Sequence, residues 1–256
     1  MRALILGGTG DGRTLAERLS GHGLDVLYSV AGRLTSARLP TCATRVGGFS
    51  SSDHDSLEGL AETLIQESIT LVIDATHPFA ARISVTALAA TKRLGLPCWQ
   101  LRRPRWIPTS EDRWHEARDL EALVSSLEPY SRPFVTLGQS SLALVERLAP
   151  HQHALVRSAA ALELPAPHRH VLDRGPFAIH KELDVMRGHH CDALVTKHSG
   201  GETTEAKLLA ARALGLPVFL LARPPLPEAD RVFYSPAALS RALIPGRPTD
   251  EVQHDR

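Results

Sequence analysis

The sequence predicts an α/β protein of two Rossmann-like domains, each a mostly parallel sheet flanked by helices, and three observations carry that reading. Leu4, Ile5 and Leu6 form a short apolar run, a glycine cluster from Gly7 to Gly12 follows at once, and residues 14–19 repeat their apolar positions at helical spacing. The same strand-then-helix rhythm recurs along the chain and restarts after the stretch between Pro129 and Pro133. With 256 residues, 43% of them hydrophobic, the chain can bury two modest cores. The expected division is an N-terminal domain over 1–128 and a C-terminal domain over 129–245, with 246–256 a polar, disordered tail.

Composition narrows the function classes. A formal net charge of +1 makes no electrostatic case for nucleic acid or a membrane surface, so any anionic partner must be met by local arginines. Cys42, Cys98 and Cys191 are odd in number, far apart and without metal-ligand spacing, which argues against a disulfide framework or a zinc site. The thirteen histidines cluster in polar stretches such as His168 to His170 and His189-His190, and no metal site is expected from them. No apolar segment approaches membrane-spanning length, and a soluble, cytoplasmic protein is the expectation.

The opening turn carries the first functional signal. Its glycines fall as G-x-x-G-x-G through Gly7, Gly10 and Gly12, a variant of the dinucleotide-binding fingerprint in which Thr9 stands where a second glycine is usual. Glycine there admits positive φ and a close ligand, and the helix start offers free N–H groups to a phosphate. A glycine turn that binds nothing is the competing reading. Strand two, over 24–30, runs into Ser29-Val-Ala-Gly-Arg33 with hydroxyl and guanidinium groups and no acid. That favours NADPH over NADH, with Ser29 and Arg33 on the extra phosphate, unless Arg33 is merely solvated.

Farther along, a short third strand from Arg45 ends in the Gly47-Gly48-Phe49 turn, and Asp53 or Ser52 caps a helix over 55–67. A buried strand over 69–74 stops at Asp74, placing Thr76 and His77 at a carboxyl end, with Pro78 opening a helix that runs to about Leu94. The strand over 96–101 emits Arg102, Arg103, Arg105 and Trp106, a carboxylate clamp or a solvated exit loop. A short strand over 114–117 and a helix over 119–127 precede the boundary. Beyond it come a strand over 134–138, a helix over 140–148 capped by Ser140, short strands over 154–157 and 171–173, and a helix opened by Gly175-Pro-Phe177. The strand over 193–196 ends in Lys197-His-Ser-Gly-Gly201, either a second anion-binding turn or a plain structural one, followed by a helix over 203–214 and a strand over 217–221. It lacks the full P-loop pattern, so triphosphate hydrolysis is not supported. A short-chain dehydrogenase needs Tyr-x-x-x-Lys, but Gly32, Phe134 and Ala238 stand four residues after Tyr28, Tyr130 and Tyr234.

Taken together, the blocks Ile5 to Gly10, Tyr28 to Arg33, Gly47 to Phe49, Asp74 to Ala80, Arg103-Pro with Trp106, Arg174 to Phe177, Thr196 to Gly201, Ala206-Lys207 and Arg223-Pro224 make the chain resemble the precorrin-6A reductase family of cobalamin biosynthesis. His198 stands where that family often carries asparagine. The resemblance implies hydride delivery from NADPH to a double bond of a tetrapyrrole, precorrin-6A, giving precorrin-6B, at a site in the cleft between the two domains. The cofactor set it implies is Gly7, Gly8, Thr9, Gly10, Asp11, Ser29, Ala31, Gly32, Arg33, Gly48, Phe49, Ala75, Thr76 and His77. For the polyanionic tetrapyrrole it implies Arg102, Arg103, Arg174, Lys197, Ser199, Gly200, Gly201 and Arg223, with Arg38, Arg105 and Arg157 as further basic groups near strand ends. Protonation of the macrocycle needs an acid, for which His77 and Lys197 are the candidates, with water as an alternative, while Asp74 is expected to hold its turn. Metal and nucleic acid are not expected partners, and the oligomeric state is open between monomer and homodimer. The competing functions are an NADPH reductase of another small imine or enone, and an NADPH-sensing protein without turnover.

Overall fold

The computed structural model describes residues 1–32, 39–50 and 55–244. Arg33, Arg38, Ser52, Asp53 and the 246–256 tail lie outside the described residues. Two compact units make up the fold: the first holds Met1–Arg103 together with Pro224–Arg256, the second Pro104–Arg223.

In the first unit, β1 (Arg2–Leu6), β2 (Asp25–Val30), β3 (Ala43–Val46), β4 (Leu71–Asp74) and β5 (Cys98–Leu101) are joined by α1 (Gly10–Gly21), α2 (Ser56–Gln66) and α3 (Ala81–Leu94). All its strand pairs are parallel, in the order β3-β2-β1-β4-β5. Strand periodicity divides the core between the two faces. Ala3 and Ile5 pack with Leu15 and Leu19 of α1, whereas Leu4 and Leu6 pack with Leu60 and Leu64 of α2 and Ala87 and Ala90 of α3.

The second unit carries β6 (Trp114–Ala117), α4 (Leu120–Leu127), β7 (Pro133–Thr136), α5 (Ser140–Val145), β8 (Leu155–Ser158), β9 (Arg169–Leu172), α6 (Ile179–Gly188), β10 (Ala193–Lys197), a 3-10 turn (Glu202–Thr204), α7 (Ala206–Ala213) and β11 (Val218–Leu221). Its sheet, again parallel throughout, runs β6-β11-β10-β7-β8-β9. After it the chain returns to the first unit with β12 (Arg231–Phe233) and α8 (Pro236–Leu243). There β12 pairs with β5 and completes a six-stranded sheet, while Leu239 of α8 joins the α1 face of the core.

Both sheets thus share the 3-2-1-4-5 order of dinucleotide-binding folds, and the sixth strand beside the fifth comes last in the chain in the first sheet, as β12, and first in its segment in the second, as β6. The boundary expected at 129–133 falls inside the second unit instead. Residues 104–128 belong there because β6 pairs along β11 from Trp114↔Val218 to Ala117↔Leu221, and 224–244 belong to the first unit through β12. The stretch between Pro129 and Pro133 does not part the units, since strand pairing outweighs the local chain break.

Smaller corrections have local causes. Asp55, not Asp53 or Ser52, caps α2, accepting from the N–H groups of Leu57 and Glu58, each at 2.9 Å. Pro78 lies in a turn and α3 starts at Ala81 without a side-chain cap. Ser140 lies inside α5, which follows Gln139 and has no side-chain cap either.

Candidate active site

In an open parallel sheet, ligands gather at the carboxyl edge where the strand order reverses. In the first unit that point lies between β1 and β4, and the sequence motifs converge on it. Leu6 pairs with Asp74 and with Ser29, so the Gly7 turn, Ala75 to His77 and the end of β2 leave the same edge.

Each glycine of the opening turn has its own physical role. A Cβ on Gly7 would fall inside the buried Tyr28 ring, whose hydroxyl accepts from Gly8 N–H at 2.9 Å. Gly8 has φ +102°, and an added Cβ at either Gly8 or Gly10 would meet nothing within 4 Å. Gly12 lets α1 approach the end of β4, where a Cβ would lie 3.2 Å from Ala75. Thr9 fills the place of the usual second glycine for a reason: it caps α1, accepting from Gly12 N–H at 3.0 Å while donating to Ala75 O at 2.8 Å. Gly10 and Asp11, in the first turn, have no intrahelical acceptor for their N–H groups. The cradle therefore suits an anionic group at Gly8 and Gly10, and fits the phosphates of a dinucleotide.

The neighbouring turns are held by side chains of this unit. Asp74 accepts from Thr76 N–H at 3.1 Å and from its hydroxyl at 2.6 Å, the turn-holding role expected of it. His77 Nδ1 accepts from Phe79 N–H at 3.2 Å, which leaves the ring proton on Nε2. Ala75 is buried, and it contributes its carbonyl rather than its methyl group. Ser29 is buried at the end of β2, where its carbonyl accepts from Gly7 N–H at 2.8 Å. Ala31 and Gly32 are exposed beyond it, Gly32 at φ +73°. Arg45, whose place in this turn the sequence did not disclose, donates to the carbonyls of Gly47 at 2.8 Å and Gly48 at 2.6 Å and stacks 4.2 Å over the Phe49 ring. Burial lowers its pKa. Arg102 donates to Gln100 Oε1 at 2.8 Å and Pro227 O at 3.1 Å, and Arg103 pairs with Asp11.

The corresponding switch point of the second unit lies between β7 and β10, and Lys197 to Gly201 leaves its carboxyl edge. Gly200 has φ +67°, and a Cβ there would collide with Pro104 O and the Arg223 guanidinium. Arg223 braces this loop, donating to His198 O at 2.8 Å, Ser199 O at 3.0 Å and Pro104 O at 3.2 Å. His198 is a packing residue: it is buried, stacks on Trp106, and its ring nitrogens lie 3.2 Å from Glu116 Oε1 and from Trp106 O. Trp106 Nε1 donates to Gly201 O at 3.0 Å. Ser199 is buried, and Lys197 is half-buried, with its ammonium pKa lowered by that burial.

Three other basic groups behave differently. Arg174 is exposed after β9. Arg105 pairs with Glu116 at 3.3 Å on the surface. Arg157 is buried, bonded to Glu182 at 2.8 Å and stacked 3.7 Å over Phe177, which turns it inward as a brace. Lys207, buried beside this pair, donates to Thr204 O at 2.8 Å. Its pKa is lowered to about 8, first by desolvation and then by Arg157. Among the described residues no His, Cys, Asp and Glu group can hold a metal, and no helix is long and apolar enough to cross a membrane.

Fold and sites define a class: two parallel α/β units, each with the strand order of dinucleotide-binding proteins and a glycine turn at its switch point. A family model described as precorrin-6x reductase CbiJ/CobK matches residues 2–243. The chain belongs to the precorrin-6x reductase family. It is 44% identical over 240 residues to the precorrin-6A reductase of Rhodococcus erythropolis, covering 89% of this chain and 91% of that one. With the precorrin-6A reductase of Mycobacterium tuberculosis H37Rv it shares 42% over 243 residues, 88% and 90% of the two chains. The cobalt-precorrin-6A reductase of Synechocystis is 29% identical over 238 residues, 86% and 87%. A solved structure titled CobK precorrin-6A reductase superposes with a TM-score of 0.85 at 36% identity, covering 95% of this chain and 96% of that one.

Proposed function

We propose that this protein reduces precorrin-6A to precorrin-6B with NADPH in cobalamin biosynthesis. The observation that carries the reading is the end-to-end similarity to precorrin-6A reductases, 44% and 42%, which exceeds that to the Synechocystis cobalt-precorrin enzyme at 29%. The open Gly8 and Gly10 positions, with the capped start of α1, support a dinucleotide at the first unit. NADPH supplies the hydride when bound.

The chain's own residues supply binding, orientation and the proton. In this reading Gly8, Thr9, Gly10 and Asp11 surround the phosphates, while Ser29, Ala31, Gly32 and Arg33 take the adenosine end. The turn of Gly48 and Phe49, which Arg45 holds rigid, borders that end. Thr76 and His77 orient the nicotinamide end, on a turn fixed by Asp74 and by the Phe79 bond. Arg102, Arg103 and Arg174, with Ser199 and Gly200-Gly201, receive the acid side chains of the macrocycle, and Arg223 keeps the 198–201 loop in shape. Lys197 is the proton donor: its burial weakens its hold on a proton, which makes it a stronger acid than an exposed lysine.

An anaerobic assay of the purified protein with precorrin-6A and either NADPH or NADH, following cofactor absorbance, tests the reading. Substrate-dependent oxidation of NADPH is expected. Oxidation of NADH alone would overturn the cofactor assignment, and NADPH binding without turnover would favour the sensor reading.

A further inference from the structure

The opposite, amino edge of the second sheet carries a feature that the proposed reaction does not use. A cavity of about 370 Å³ opens there, lined by Arg132, His153, Arg169, His189, His190 and Cys191 among others. Its residues come from the starts of three strands: Arg132 precedes β7, His153 precedes β8 and Arg169 begins β9. The turn that links α6 to β10 supplies His189 to Cys191. Among the described residues no carboxylate lines it.

The nearest acid in sequence, Asp192, accepts from Ser131 N–H at 2.6 Å and Arg132 N–H at 2.9 Å and keeps one negative charge beside Cys191, against two guanidiniums in the lining. Among the described residues neither the Arg132 nor the Arg169 guanidinium has an acidic partner. Helix α6 ends at this edge, and a helix C-terminus attracts positive charge, but only about half an elementary charge's worth. Two guanidiniums exceed that. The α6 carbonyls, moreover, are already met by the N–H groups of His189, His190 and Cys191. His190 sits at φ +52°, a conformation a histidine adopts at some cost. The Cys191 thiol, its pKa pushed up to about 12 by burial, stays neutral and adds no competing negative charge.

We propose that this cavity is a second anion site, for a small molecule bearing two or more acid groups, phosphate or carboxylate. Arg132 and Arg169 arise two strands apart with Arg169 level with Phe134, so their backbones lie roughly 12 Å apart, a span that two acid groups of one ligand can bridge. His153, just before the strand between them, also lines the cavity.

The test is titration calorimetry on the full chain at constant ionic strength, with pyrophosphate, citrate and inorganic phosphate as probes. The proteins compared are wild type, the Arg132→Gln/Arg169→Gln double variant and Lys197→Met. Both arginines are exposed, so the double variant keeps its fold, which its thermal midpoint verifies. Saturable binding of pyrophosphate or citrate, weakened at least tenfold in the double variant and unchanged in Lys197→Met, supports the site. Pyrophosphate alone points to a phosphorylated ligand, citrate alone to a polycarboxylate, and inorganic phosphate is expected to bind more weakly than either. Equal binding by the double variant, or no saturable binding of pyrophosphate and citrate, overturns it. Pyrophosphate held at the first unit's glycine turn is untouched by the double variant, so only the binding which that variant loses is assigned to this cavity, whatever becomes of the reductase reading.

Discussion

Arg103 Nε donates to Asp11 Oδ2, an ion pair in which the arginine is only 13% exposed and the acid stands in the first turn of α1. A carboxylate there stabilises the helix start but repels any phosphate brought to the same N–H groups. The Arg103 guanidinium offsets that repulsion, so under the proposed function it serves the phosphate turn as well as any substrate acid. Arg103→Ala is expected to raise the Michaelis constant for NADPH about tenfold, about 1.4 kcal/mol. Adding Asp11→Asn should recover most of the loss. If the double variant is as weak as Arg103→Ala, the charge argument fails.

Gly7 and Gly10 separate stability from binding. At Gly7 a methyl group overlaps the Tyr28 ring, and overpacking of this kind costs about 1–3 kcal/mol. At Gly10 the methyl group enters open space at a helix start, where alanine is tolerated. Urea unfolding should therefore show Gly7→Ala destabilised and Gly10→Ala within about 0.5 kcal/mol of wild type. Gly10→Ala should still lose tenfold or more in NADPH affinity. Normal NADPH binding by Gly10→Ala would show that no ligand lies against that position.

These contrasts also mark what the sequence could disclose. The strand, glycine turn and helix at 2–21 were legible because apolar period and glycine spacing are local signals, and so was Asp74 as a turn holder. The unit boundary was not, because it depends on β12 pairing with β5 and β6 with β11, across more than a hundred residues. Within the sites, local pattern could not distinguish an arginine that faces a ligand from one that braces a loop. Arg157 reads like Arg174 in sequence, yet it is buried against Glu182, while Arg223 holds three carbonyls. Tyr28 was visible only as a strand residue, because its contact with Gly8 spans twenty positions.

Lys207 predicts how stability changes with pH. Burial lowers its pKa from 10.5 to about 8, so the unfolded chain holds this proton more tightly than the folded one. Stability therefore rises with pH as the folded-state lysine discharges from about 8 upward, relieving a cost of about 3 kcal/mol by pH 10.5. Cys98 and Cys191, with pKa values raised to about 12, work the other way above pH 9, since the unfolded thiols ionise first. The clean measurement is the difference in unfolding free energy between Lys207→Met and wild type at pH 7, 8 and 9. The advantage of Lys207→Met should shrink as pH rises, less the bond to Thr204 O that it loses. A difference independent of pH would show that Lys207 keeps its charge inside the fold, its pKa not lowered into this range.

In the proposed NADPH reading the cofactor preference turns on Arg33, which lies outside the described residues, after a β2 that ends in Ser29 and Val30 without an acid. An arginine at that position meets the 2′-phosphate that NADPH has and NADH lacks. Arg33→Ala should raise the Michaelis constant for NADPH tenfold or more and that for NADH less than twofold. Equal effects on the two cofactors would remove Arg33 from the phosphate site.

The proton donor can be separated from a merely ordered loop by its pH signature. Lys197 ends β10 and, half-buried, gives up its proton below the usual lysine range, so an acid role makes kcat fall as pH rises through that lowered value. Lys197→Met should lower kcat by about a hundredfold, leave the Michaelis constant for NADPH within twofold, and abolish the alkaline fall. His77 accepts from Phe79 N–H and orients its turn, so His77→Asn should reduce kcat less and keep the alkaline limb in place. If instead His77→Asn removes that limb while Lys197→Met retains it, the proton comes from the first unit's turn and the two assignments exchange.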